Sequence, residues 1–247
     1  MASKFYAIVI GAGTGTGSAA ARRFAKSYPV VLMARSPASY QDTVDGINAS
    51  GGQAVGVNAD AADPASLKSA FDRIRDELLP GHRLAAAVYN VGANFKRAPF
   101  LEAKVEDFDG SIAGNAFLPL RPTNHPPPAR ERRRGAAIPA HAHHHRRHGL
   151  DARRRQLRRV RGGHGGATRP GPVAGAGVRP PRVHVAHAVI DGVIDIPRTK
   201  AYDNVNGGVE DGKLDPDAIA ESYWHLHTQH RSAFTQELDL RPYVEKF

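Results

Sequence analysis

An apolar run that passes straight into a glycine-rich turn and then a helix constrains this chain more than any other stretch. Phe5 to Ile10 is apolar throughout, the pattern of a strand covered on both faces. Gly11-Ala12-Gly13-Thr14-Gly15-Thr16-Gly17 follows, and Ser18 to Ala25 reads as a helix. Glycines at a strand-to-helix turn let the backbone approach a pyrophosphate, whose charge is favoured at the helix N-terminus. The stretch predicts a dinucleotide-binding loop. A plain Gly-rich turn is the alternative, and the flanking strand and helix are what favour binding.

The spacing Gly11, Gly15, Gly17 fits G-x-x-x-G-x-G, with Thr16 inside it, and resembles the short-chain dehydrogenase/reductase family. The competing pattern G-x-G-x-x-G starts at Gly11 and Gly13 but fails at Thr16. Pro29 to Ala34 reads as a second strand ending in Arg35-Ser36. An acidic residue there would bind a ribose 2′-hydroxyl, whereas arginine accommodates a 2′-phosphate, so Arg35 favours NADP over NAD. A solvated surface arginine is the bland reading of the same residue. Gln53 to Asp60 reads as the third strand. The resemblance implies an adenine contact for Asp60; an N-cap or turn aspartate is the alternative.

A helix over Asp63 to Leu79 has Leu67, Ala70, Phe71, Ile74 and Leu78 at helical spacing and ends at Pro80-Gly81. Leu84 to Tyr89 is a fourth strand, and Asn90-Val91-Gly92 resembles the end of the family's N-N-A-G turn, with Tyr89 at its first Asn. That turn implies ribose-side roles for Asn90 and Gly92. From Pro99 a helix is expected through Phe108, Ile112 and Phe117. The resemblance makes Asn115 a catalytic candidate that holds a water in a proton relay, against a helix asparagine with no such role. Val183 to Ile190 is a further strand, and Asp191 to Pro197 resembles the family's P-G-x-I/V-x-T loop. Ile194 would meet the nicotinamide carboxamide, while Asp191 and Ile196 stand where the family has Pro and Thr. Asp217 to His227 reads as an amphipathic helix and Glu237 to Leu240 as the last strand.

With 247 residues, the chain suits one α/β domain, a Rossmann-type doubly wound parallel sheet in three α/β/α layers over 1–247. No apolar run approaches the ~18 residues of a membrane span, and entry into a strand at Phe5 leaves no room for a signal peptide. The chain has no cysteine, which excludes thiolate sites and fits a cytoplasmic protein. No metal centre is expected. The family implies a small carbonyl or alcohol substrate and a homodimer or homotetramer.

Residues 121–182 break this pattern. They hold 16 of the 34 Lys and Arg residues, all of them Arg, against only Glu131 and Asp151 as acids. They also carry seven of the 13 histidines, nine of the 18 prolines and no Phe, Tyr or Trp. Their sparse aliphatics (among them Ile138, Leu150 and Val160) follow neither a strand nor a helix period, which predicts disorder or poorly packed structure inside the domain. Three readings compete. A polyanion-binding insertion has the arginines but lacks stacking aromatics, so nucleic acid is not the expected partner. A metal tract at His141, His143, His144, His145 and His148 lacks regular ligand spacing. A shifted reading frame is favoured, because these residue types are what G+C-rich codons yield out of register. One shift, with permitted synonymous codons, turns Arg146 to Gly149 into Gly-Ala-Thr-Gly. It turns Gln156 to His164 into Asn-Phe-Ala-Ala-Phe-Ala-Ala-Ala-Met, and Pro172 to Gly177 into Gln-Ser-Leu-Ala-Arg-Glu. These strings resemble the end of the family's fifth strand and the helix after it.

The family's acid/base pair, Tyr-x-x-x-Lys, occurs nowhere; Tyr243-Val244-Glu245-Lys246 is one residue short. A phenol at its usual pKa of about 10 is a poor base near neutrality without a lysine to lower it. The sequence thus predicts an NADP-dependent oxidoreductase frame without the usual catalytic residues. A non-catalytic dinucleotide-binding or regulatory protein is the alternative.

Overall fold

The structure, a computed structural model, describes residues 5–92 and 183–245 and the backbone of 135–141. The helix expected from Pro99 to Phe117, with Asn115, lies outside the described residues, as does most of 121–182.

Among the described residues eight strands form one sheet: β1 (Phe5–Ile10), β2 (Val30–Ala34), β3 (Ala54–Asn58), β4 (Arg83–Tyr89), β5 (Gly135–His141), β6 (Val183–Val185), β7 (His187–Ile190) and β8 (Glu237–Leu240). Their order is β3-β2-β1-β4-β5-β7-β8, with β6 also on β5, and every described pairing is parallel. The strand expected over 183–190 is interrupted at Ala186, but Ala137 pairs with Val185 and Ala140 with Ala188, so both pieces hold one register on β5.

Parallel strands bury both faces, and alternation divides their side chains between two cores. Ala7 and Val9 of β1, Leu32 of β2 and Val88 of β4 point to one side, where α1 (Thr16–Ala25), α2 (Gln41–Ala49) and α4 (Pro216–Thr228) bury Phe24, Ile47 and Tyr223. Ile8, Ile10, Val31 and Ala87 point to the other, against Leu67, Ala70 and Ile74 of the α3 (Pro64–Arg73) segment. The continuous helix expected to Leu79 changes character at Ile74. Residues Ile74–Leu78 form a wider turn, closed by the Leu79 amide on the Ile74 carbonyl.

α1 and α4 are locked together where both run at the surface. Arg22 pairs with Asp217 at 2.8 Å and Arg23 with Glu221 at 2.6 Å. The Arg23 guanidinium lies over Trp224, whose ring meets Phe24 edge-on at 5.3 Å. Behind them His184 is buried between two carbonyls, of Leu226 at 3.1 Å and Thr235 at 2.6 Å, and stacks on Phe234.

β5 lies inside the segment expected to lack regular structure. Pro139 stands within it, paired opposite Tyr89. The remaining histidines of that segment's tract, His143 to His148, lie outside the described residues.

Candidate functional site

The loops that leave the C-terminal ends of β1, β2, β3, β4 and β7 converge where the strand order reverses, between β1 and β4, the place ligands occupy in open parallel sheets. The glycine loop is built there by steric need. Gly11 has φ +85°, and a Cβ on it would overlap the backbone of Asn90 and Val91. A Cβ on Gly15 would fall 2.6 Å from Cγ2 of Ile196, and one on Gly17 2.6 Å from the Gly11 carbonyl. A Cβ on Gly13 would meet nothing within 4 Å. The three glycines of G-x-x-x-G-x-G are therefore the constrained ones, and the second glycine of the competing pattern is free.

Hydrogen bonds fix the loop from both sides. The Gly11 and Ala12 amides donate to the Met33 carbonyl at 2.9 and 3.1 Å. Asn90 donates its amide to the Ile10 carbonyl at 2.7 Å and its Nδ2 to the Gly11 carbonyl at 3.2 Å. Ser18 donates its hydroxyl to the Gly13 carbonyl at 2.7 Å. Thr16, nearly buried, opens α1, whose N-terminus has no side-chain cap. An uncapped first turn leaves amides available to an anion.

Arg35 is exposed at the end of β2 and makes no ion pair or side-chain hydrogen bond among the described residues. Asp60 is exposed and behaves as a turn aspartate, its Oδ1 accepting from the Ala62 amide at 2.9 Å. The N-cap of α3 is Asp63, which accepts from the Ala65 amide at 2.9 Å. Asp60 faces Tyr89, whose hydroxyl is held above its ordinary pKa by burial first and by that carboxylate second. Gly92 is exposed, and among the described residues nothing lies within 4 Å of where a Cβ would stand. Ile194 is buried in the core, bridged to Leu214, and its carbonyl accepts from the Thr199 hydroxyl.

The loop after β7 is held by ion pairs and close packing. Asp191 pairs with Arg241 at 3.1 Å, and Arg241 also grips Asp239 with two bonds of 2.9 Å. A Cβ on Gly192 would come within 2.9 Å of Pro242, so the loop sits tight on the C-terminal segment. Arg241 and the packing of Ile196 on Gly15 join segments far apart in the chain, which no local pattern announces, while Thr199 acts within its own turn on Ile194 and Ile196. Beyond this loop a cavity of about 460 Å³ is lined by Asp195, Asp203, Asp211, Lys213 and Asp215, among others.

Among the described residues no cluster of three or more His, Cys, Asp or Glu is arranged to hold a metal, and no helix is long and apolar enough to cross a membrane.

A Rossmann-like parallel sheet with a glycine loop at its switch point defines the class of fold. The family model for short chain dehydrogenases matches residues 6–139, more than half of the chain, and the protein belongs to that family. No curated protein matched by sequence. Solved structures match over nearly the full length. A short-chain dehydrogenase/reductase from Serratia marcescens is 19% identical with a TM-score of 0.69, covering 97% of both chains. A short-chain dehydrogenase from Rhodopseudomonas palustris is 22% identical with a TM-score of 0.59, covering 97% of this chain and 99% of that one. A metagenomic short-chain oxidoreductase solved in complex with NADP is 23% identical with a TM-score of 0.66, over 98% and 99%.

Proposed function

We propose that this chain binds NADP in the crevice at the C-terminal ends of β1 to β4, as an oxidoreductase acting between a carbonyl and an alcohol. The observation that carries the reading is the glycine loop. A Cβ on Gly11 or Gly17 would meet backbone and one on Gly15 the Ile196 side chain, and the α1 N-terminus behind them has no cap. In this reading the loop, Thr16 included, holds the pyrophosphate, and Arg35 takes the 2′-phosphate. Asp60 faces the adenine, Asn90 and Gly92 the ribose side, and Ile194 the carboxamide. Asn115 is the relay residue. The guanidinium of Arg35, exposed at the end of β2 and without an ion pair among the described residues, supports NADP over NAD, and the NADP complex of the metagenomic relative is in keeping with it. The nicotinamide supplies hydride when bound; the chain's part is to orient it and shield it from water. We place the protein in the cytoplasm as a homodimer or homotetramer.

A second reading, binding without turnover, is favoured by the sequence itself, which has no Tyr-x-x-x-Lys. Titrating NADPH by its fluorescence, then following absorbance with a panel of aldehydes and ketones, separates the two. Saturable binding with turnover supports the enzyme; saturable binding with none sinks the enzyme and supports the second reading.

We also read 121–182 as translated from a shifted frame within one domain spanning 1–247. Sequencing the gene decides it: nucleotides that cannot encode the second frame's strings rule the idea out.

A further inference from the structure

We propose that Thr199 is a positioning residue for the dinucleotide loop, acting through Ile196. The inference rests on the reading of that loop given above and adds a residue to it. Thr199 is 2% exposed. Its hydroxyl donates to the Ile194 carbonyl at 2.5 Å and accepts from the Ile196 amide at 3.1 Å, while its own amide donates to the Ile196 carbonyl at 2.9 Å. One side chain thereby closes the chain from Ile194 to Thr199 into a fixed turn. Lys213 secures the far side by donating to the Thr199 carbonyl at 3.2 Å.

What that turn presents is the Ile196 side chain. Its Cγ2 fills the place a Cβ on Gly15 would take, and its Cβ and Cδ1 lie 3.5 and 3.7 Å from the same point. Ile196 is half-buried and packs on the core that includes α1. An aliphatic, β-branched group with few rotamers therefore rests on the start of α1, beside the amides that receive an anion. Without the Thr199 hydroxyl the Ile194 carbonyl and Ile196 amide lose a buried partner. The turn then relaxes, and Ile196 lifts from Gly15.

Hydrogen exchange on the ligand-free protein tests this directly. Thr199→Val keeps the shape and removes the hydroxyl; Thr199→Ser keeps the hydroxyl. Thr199→Val is expected to raise exchange of residues 11–17 about tenfold relative to the β3 strand, a net hydrogen bond's worth of protection. Thr199→Ser is expected to exchange like the wild type. Ile196→Ala should raise exchange of the same residues, and adding Thr199→Val to it should raise them no further, because both act on one contact. Thr199→Val with residues 11–17 unchanged overturns the proposal, as does full additivity with Ile196→Ala. NADPH titration of the wild type is the separate arm. No uptake there overturns the dinucleotide reading, while the exchange result still decides the role of Thr199.

Discussion

At the scale of single residues the site depends on what three glycines lack. Gly11→Ala would put a Cβ into the Asn90 backbone at a positive φ. Strain of that kind costs on the order of 1–3 kcal/mol before any clash is counted. Gly13→Ala meets open space and should change stability by no more than about 0.5 kcal/mol. Urea unfolding of the two variants measures the contrast, and equal losses would contradict the assignment of the constrained glycines. Arg35 offers a test of specificity. A guanidinium–phosphate contact is a charge-assisted hydrogen bond of about 1.5–3 kcal/mol. Arg35→Ser should therefore weaken NADPH binding roughly tenfold to a hundredfold and leave NADH nearly unchanged. Parallel titrations with both nucleotides check it, and an equal loss for both would count against the 2′-phosphate role.

These residues were legible because their neighbours in sequence carry the signal. An apolar run, a glycine spacing and a strand-end arginine can all be read locally. Asp60 was legible only as a choice, and its hydrogen bond to the Ala62 amide places it as a turn aspartate while Asp63 takes the cap. Ile196, Thr199 and Arg241 were not legible as a group. Gly15 and Asp191, the partners of Ile196 and Arg241, are distant in the chain and set by tertiary packing; the bond of Thr199 to Ile194 is local.

At the scale of elements, strands with continuous apolar character were read from the sequence nearly to their ends. α2 was not, since its nine residues include Gly46 and bury only Val44 and Ile47, too few to set a period. β5 was not either, because in Gly135–His141 the short apolar stretch is interrupted by Pro139, and a proline argues against an inner strand. α4 carries its own prediction. Tyr223 is fully buried and its hydroxyl has no hydrogen-bond partner among the described residues. Burial holds that phenol above its ordinary pKa of 10.0. Below about pH 10 the phenol is neutral in the folded and the unfolded chain alike; as the pH rises further the unfolded chain ionises first, and stability falls. Tyr223→Phe removes an unsatisfied group, so it should leave stability at pH 7 unchanged or higher. Melting temperatures from pH 8 to 11 should also fall less steeply in the variant. A variant less stable at pH 7 would show that the hydroxyl has a partner.

At the scale of the molecule, the sheet brings five strand ends to one crevice, and the two halves of the chain meet there. The glycine loop comes from the first half; Ile196 and the Asp191–Arg241 pair come from the second. The basic imbalance of the whole chain arises in 121–182. Binding and chemistry are separate questions: the crevice is proposed to hold a nucleotide, whereas the sequence has no Tyr-x-x-x-Lys to act on a substrate. Titration of the purified chain with NADPH, read by nucleotide fluorescence, tests the central claim most directly. A saturable signal that Arg35→Ser weakens is the expected result. A wild-type chain that shows no saturable signal would contradict it.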